Sequence, residues 1–238
     1  MVGRVVAVGA VVILVAALGA CTTGRAERTG ALPADRNTEV IYVALGDSTV
    51  EGIAATSAEH NYVSRLFRRL RGVYPAARVV NLGTSGAISA DVVSRQVQRA
   101  VKLRPDLVTL SVGPNDITGG VAVADYEKNV DTIFRTLTRE TRAVVVVNLL
   151  PDLAVTPRFR ASDKREIVGA LTVQFNGALA RKADAYAVTL VDLYTASRAE
   201  VPRHPELVAS DGYHPSDLGY ERWAELMWRH IETRIARR

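Results

Sequence analysis

With 238 residues, 48% of them hydrophobic and 23% charged, the chain has the composition of one substantial globular domain, not of a disordered protein. The formal net charge of +5 is spread over many arginines, with no dense basic block and no basic stripe interleaved with aromatics, which excludes the usual footprint of a nucleic-acid binder. A single cysteine excludes an intrachain disulfide framework.

Arg4 supplies a minimal positive region, and Val5 to Ala20 then runs without a charge, ending in Leu18-Gly19-Ala20-Cys21. The run is short for a membrane span of about 20 residues. Small residues at its end fit the cut site of a secretory signal peptide. The Leu-Gly-Ala-Cys string also resembles a bacterial lipobox, in which the cysteine is lipidated and becomes the new N-terminus. The expectation is a signal peptide over residues 1–20 and a lipidated Cys21 that holds the protein outside the cytoplasmic membrane, with plain secretion or an uncleaved anchor as the alternatives. The polar stretch through Glu39 reads as a flexible tether, completing a segment of residues 21–39 and leaving a folded domain over residues 40–238. With Cys21 so used, the mature domain has no thiol nucleophile.

From Val40 onward, short apolar runs alternate with helical stripes. Val40 to Leu45, Arg78 to Leu82, Leu107 to Val112, Ala143 to Leu149 and Val188 to Leu193 are continuously apolar, as expected of parallel strands covered on both faces. Between them, Tyr62-Val63-Leu66-Phe67-Leu70, Ile88-Val92-Val93-Val97-Val101, Tyr126-Val130-Ile133-Phe134-Leu137 and Ile167-Leu171-Phe175-Leu179 recur at helical spacing. Trp223, Met227, His230 and Ile231 form a last stripe, whose Trp223 and Trp228 read as packing or surface residues. This alternation predicts an α/β sandwich around a five-stranded, mainly parallel sheet, with no internal repeat and no second-domain linker. Leu150 to Asp163 is the one long irregular stretch and reads as a surface or functional loop.

Ligands of open parallel sheets bind beyond the carboxyl ends of the strands. There the chain places Gly46-Asp47-Ser48, Asn81-Leu82-Gly83-Thr84-Ser85-Gly86, Gly113-Pro114-Asn115-Asp116 and, further on, Asp211-Gly212-Tyr213-His214-Pro215. A serine hydroxyl needs a base, and an imidazole needs an orienting partner. Ser48, His214 and Asp211 supply the three, provided the fold brings the two loops together. Gly86 offers an unobstructed backbone N–H and Asn115 a side-chain amide, and with the Ser48 N–H these could hold a developing oxyanion. His60, His204 and His230 lack a comparable setting with a carboxylate and a turn, and read as surface or packing residues.

In order and spacing, these four blocks resemble the signature blocks of the SGNH (GDSL-type) hydrolases, over essentially the whole stretch from Val40 to the C-terminus. The resemblance implies a flavodoxin-like three-layer α/β/α sandwich. It implies Ser48 as nucleophile, His214 as base, Asp211 as its partner, and Ser48, Gly86 and Asn115 as oxyanion donors. It further implies cleavage of carboxylic esters of small molecules, lipids or glycans, with no metal or organic cofactor. Pro114 departs from the family by standing where many members carry another glycine; it stiffens the loop and leaves Asn115 in place. An ordinary α/β-hydrolase would show Gly-x-Ser-x-Gly, and the nearest string, Gly83-Thr84-Ser85-Gly86-Ala87, fails at its last position. A flavodoxin-like cofactor binder would leave Asp211 and His214 unexplained, and Asp47 and Glu51 would repel a phosphate at the first turn. An acyl- or glycan-binding lipoprotein and an acyltransferase on the same fold remain as alternatives. The sequence does not select acyl length, leaving group or oligomeric state.

Overall fold

The computed structural model describes residues 30–236. The expected signal peptide and the lipidated Cys21 lie outside the described residues. The folded part is a five-stranded sheet in the order β2-β1-β3-β4-β5, with every neighbouring pair parallel. The strands are β1 (Ile41–Gly46), β2 (Arg78–Asn81), β3 (Leu107–Ser111), β4 (Val144–Asn148) and β5 (Thr189–Val191). Each lies inside or within one residue of an apolar run expected to be a strand. β3 and β4 are buried at every position, which is why neither alternates in polarity.

Helices cover both faces. On one, Tyr42 and Ala44 of β1 pack with Tyr62, Leu66 and Leu70 of α2 (Tyr62–Val73) and Tyr220, Met227 and Ile231 of α10 (Asp217–Glu232). On the other, Val43 and Leu45 pack with Val130, Ile133 and Phe134 of α6 (Val123–Glu140) and Phe175 and Leu179 of α8 (Arg165–Ala185). The period-two alternation of β1 thus feeds two separate cores, the requirement of a three-layer sandwich. The helices are α1 (Ser48–Glu51), α2 (Tyr62–Val73), α3 (Ser89–Asp91), α4 (Val97–Lys102), α5 (Pro114–Thr118), α6 (Val123–Glu140), α7 (Pro157–Arg160), α8 (Arg165–Ala185), α9 (Leu193–Glu200) and α10 (Asp217–Glu232). The five apolar residues of the α6 stripe are all fully buried, each contributing about 1.5–3 kcal/mol.

Four expectations need correction. In α8 the stripe is altered at its start: Ile167 is 63% exposed, and Val168 and Thr172 are buried instead, while Phe175 and Leu179 are buried as expected. Two apolar residues in succession left the face undecided, and the sheet chose Val168. The stripe from Ile88 to Val101 is not one α-helix, because a π-helical turn over Val92–Gln96 separates α3 from α4. The loop from Leu150 to Asp163 is partly regular, carrying a 3-10 turn at Leu153–Val155 and then α7. Finally, the end of the expected tether is docked. Leu32 is buried and bridges Ile235, its N–H donating to Arg234 O at 2.6 Å. Arg36 donates to Tyr74 Oη at 2.6 Å and to Ala236 O at 2.6 Å. Its partners lie some 40 and 200 residues away, so local composition could not reveal them.

Candidate active site

The β1 strand sits between β2 and β3, so the loops that follow β2 and β3 flank the turn that follows β1. The turn itself is sterically dictated. Gly46 has φ +142°, and a Cβ there would lie 1.9 Å from Ser111 O, so only glycine closes the strand. Asp47 caps α1, its Oδ1 accepting from the Thr49 N–H at 3.0 Å and from the Thr49 hydroxyl at 2.8 Å. Ser48 is therefore the first residue of a helix, where backbone N–H groups have no intrahelical acceptor.

Across 166 positions of sequence, Ser48 Oγ meets His214 Nε2 at 2.9 Å. His214 Nδ1 lies 2.6 Å from Asp211 Oδ2. Asp211 Oδ1 accepts from the backbone N–H groups of Tyr213 and His214 at 2.9 and 3.0 Å. Burial works against the Asp211 anion, yet the bonds from the His214 ring and from these two N–H groups outweigh it and hold the carboxyl below its ordinary range. An ionised carboxylate can only accept, so Nδ1 carries the proton and Nε2 is left to accept from the Ser48 hydroxyl. The turn is pinned from two sides. Ala209 N–H donates to His214 O at 2.8 Å, and Arg158 N–H of α7 donates to Gly212 O at 2.9 Å. Arg158 also lies over the Tyr213 ring at 5.0 Å, and Tyr213 meets His214 edge-on at 5.1 Å. The loop from Leu150 to Asp163 thus braces the imidazole.

Gly86, with φ +77°, sits on an exposed turn with open space where a Cβ would be. Among the described residues, no protein acceptor takes the Ser48 or Gly86 N–H. Asn115 Nδ2 donates to Ala87 O at 3.0 Å, which orients the amide and ties this loop to the Gly86 loop. If the Asn115 amide is an oxyanion donor, Asn115→Ala lowers kcat for an ester by roughly 10²–10³-fold with little change in KM. Steady-state kinetics checks this, and a change confined to KM would contradict it.

Sequence reasoning missed the groups that hold the loops in place. Gln96, carried inward by the π-helical turn, accepts from Gly46 N–H and donates to Gly46 O, both at 2.8 Å. π-Turns of this kind often mark functional sites. The one available signal was a polar residue interrupting an apolar stripe. Asp116 accepts from the Ser89 N–H at 3.0 and 3.1 Å and from the Ser89 hydroxyl at 2.5 Å, joining the third block to the start of α3, just beyond the second. Glu51 accepts from Ser85 N–H at 2.5 Å, joining the first block to the second.

Asp47 is 1% exposed, and its Oδ2 is buried without a partner. Burial pushes its carboxyl up to about 6, against the opposing pull of the Thr49 hydrogen bonds. A carboxyl raised from 3.8 to about 6 costs the folded state stability that grows as pH rises from about 4 to 6, is full above that, and disappears below about 4. Asp47→Asn should therefore stabilise the protein at pH 8 by up to about 3 kcal/mol and give no such gain at pH 4. Thermal melts at the two pH values test the sign; a larger gain at pH 4 would refute it.

The other histidines separate in an unexpected way. His60 does have a carboxylate partner, contrary to its reading from sequence: its Nδ1 lies 2.8 Å from Asp217 Oδ2 and 2.8 Å from the Thr56 hydroxyl. The cluster is at the surface, with the His60 side chain 45% exposed. His204 pairs with Glu206 in solvent, and His230 donates to Leu226 O within α10. Among the described residues, no three His, Cys, Asp or Glu side chains gather as a metal-binding group.

Residues 44–222 match the model of the GDSL-like Lipase/Acylhydrolase family. The chain is similar to an acetylxylan esterase of Geobacillus stearothermophilus, 26% identical over 179 residues that cover 71% of this chain and 80% of that one. Among solved structures it superposes on a lipase/acylhydrolase from Enterococcus faecalis with a TM-score of 0.67 and 22% identity, covering 84% of this chain and 98% of that one. An acetyl xylan esterase called AlAXEase gives a TM-score of 0.67 at 19% identity, over 81% of this chain and all of the other. These two likenesses bear on the fold.

Proposed function

Given that the chain belongs to the GDSL-like lipase/acylhydrolase family and is a carboxylic ester hydrolase, we propose that it works through an acyl-serine intermediate on Ser48. His214 Nε2 takes the Ser48 proton as Oγ attacks the ester carbonyl. Charge that develops on the carbonyl oxygen is met by the Ser48 and Gly86 N–H groups and by the Asn115 amide. The imidazolium, stabilised by Asp211, then protonates the departing alcohol. Water then attacks the acyl carbonyl as His214 takes its proton, and the Oγ–acyl bond breaks with that proton returned to Ser48 Oγ as the acid leaves. The observation that carries the reading is the unbroken chain Ser48 Oγ–His214 Nε2 at 2.9 Å and His214 Nδ1–Asp211 Oδ2 at 2.6 Å.

The test is a panel of esters that includes p-nitrophenyl acetate and acetylated sugars, the latter prompted by the similarity to an acetylxylan esterase. Release of acid that tracks enzyme concentration and fails in the serine variant supports the reading. A folded protein inert towards the whole panel rejects it.

We further propose an extracytoplasmic protein anchored through a lipidated Cys21. The docked segment supports a particular orientation. The helix α10 starts at Asp217, three residues beyond His214, and runs 16 residues, about 24 Å, to the end where Leu32 bridges Ile235. The N-terminal segment thus joins the domain at the pole opposite the Ser48 edge, which would turn the cleft away from the anchoring bilayer. Cys21→Ala should move the protein from the membrane fraction to the soluble one; unchanged partitioning would contradict the anchor.

A further inference from the structure

A cavity of about 90 Å³ lies beside Ser48 and His214, on the β4–β5 side of the turn. Gly86 and Asn115 follow β2 and β3, so the oxyanion donors flank Ser48 elsewhere and leave this space to another part of the substrate. Its walls include Leu193, Ala196, Val201, Leu207, Val208 and Leu226, which offer neither donor nor acceptor from their side chains. Asp152, Thr156 and Ser197 also line it but are engaged within the protein, so a sugar would regain only part of its lost hydrogen bonding, from Tyr213 Oη and Trp223 Nε1, whereas a hydrocarbon gains from burial. A cavity of about 150 Å³ holds the six carbons of benzene, so 90 Å³ corresponds to roughly three or four carbons.

The cavity also has a charged wall. Glu200, the last residue of α9, and Arg222 of α10 both line it and both reach solvent, with side chains 29% and 33% exposed. Arg222 Nη2 and Nε bind the Glu200 carboxylate at 2.7 and 2.8 Å, and Nη1 reaches Glu225 at 3.2 Å. This fork-on-carboxylate pair bridges the gap between the two helices.

We propose that this cavity receives the acyl chain of the ester, limits it to about four carbons, and is closed at its solvent end by the Glu200–Arg222 pair. The inference rests on the hydrolase reading above and names its substrate class: short-chain acyl esters whose polar alcohol stays in solvent.

The experiment measures kcat/KM for p-nitrophenyl esters from acetate to dodecanoate, and for acetate esters of alcohols of increasing length, in wild type, Val201→Phe, Arg222→Ala and Glu200→Gln. In wild type the rate should rise about three- to fourfold per methylene to butanoate and fall at least tenfold by octanoate. Val201→Phe fills the cavity and should bring butanoate down to acetate or below. Arg222→Ala should raise the octanoate-to-butanoate ratio about tenfold, and Glu200→Gln, which keeps the side-chain shape, should move it in the same direction by less. Melting curves establish that each variant is folded. A wild-type profile indifferent to acyl length overturns the proposal, as do folded variants whose acyl profiles match wild type or whose preference shifts on the alcohol side. If Ser48-dependent hydrolysis persists in those cases, the hydrolase reading stands and only the pocket assignment falls. If no ester is cleaved, both fall.

Discussion

Replacing Ser48 with alanine should lower kcat for p-nitrophenyl acetate by roughly 10⁴–10⁶-fold, leaving only the contribution of binding and oxyanion stabilisation. The expectation follows from the bond list of one atom. Ser48 Oγ is 2.9 Å from an imidazole that has an acceptor nitrogen towards it, and it caps no helix, because Asp47 performs that task. Loss of the hydroxyl therefore removes chemistry and spares architecture. The melting temperature should shift by no more than about 2–4 °C, the change expected from roughly 1 kcal/mol in a domain of this size. Turnover near the wild-type level in a folded Ser48→Ala protein would reject the mechanism.

The second large effect should come from His214→Ala, with a loss of kcat of about the same order. Because proton removal and attack are one event, the two side chains act as a unit, and the Ser48→Ala, His214→Ala double variant should be no slower than either single one. Additive losses would mean that the two residues serve different steps. Asp211→Asn should cost less than either. Its side chain is 42% exposed, so water can replace part of the stabilisation it gives the imidazolium. The turn it holds is also braced by Arg158 and Ala209. Kinetics on the three single variants and the double variant, measured in one buffer, decides the order.

Much of this architecture was legible in the sequence because parallel strands buried on both faces leave continuous apolar runs, and five such runs separated by helical stripes admit few topologies. The GDSL-like signature was legible for a chemical reason: nucleophile, base and orienting carboxylate must be particular residue types, and the loops that carry them must follow strands. The groups that brace those loops were not legible. Gln96 reaches Gly46 only because a π-helical turn rotates it inward, and no local pattern distinguishes that turn from an α-helix. The Asp116–Ser89 and Glu51–Ser85 bonds depend on how two loops lie side by side, which the strand order decides. His60 was read as lacking a carboxylate setting because Asp217, its carboxylate, is 157 positions away. Ile167 and Val168 are adjacent and equally apolar, so only packing against the sheet could assign the buried one. The segment from residue 30 to Glu39 was read as free chain because it is polar on average, although a few contacts by Leu32 and Arg36 suffice to dock it.

Covalent trapping gives the most direct reading of the reactive centre. The wild-type protein is treated with a fluorophosphonate probe and then digested, and the peptides are weighed. One adduct is expected, on the peptide that carries Ser48, absent from Ser48→Ala and strongly slowed in His214→Ala. A folded protein that takes up no probe, or takes it up at a different side chain, would contradict the assignment of Ser48 as the attacking group.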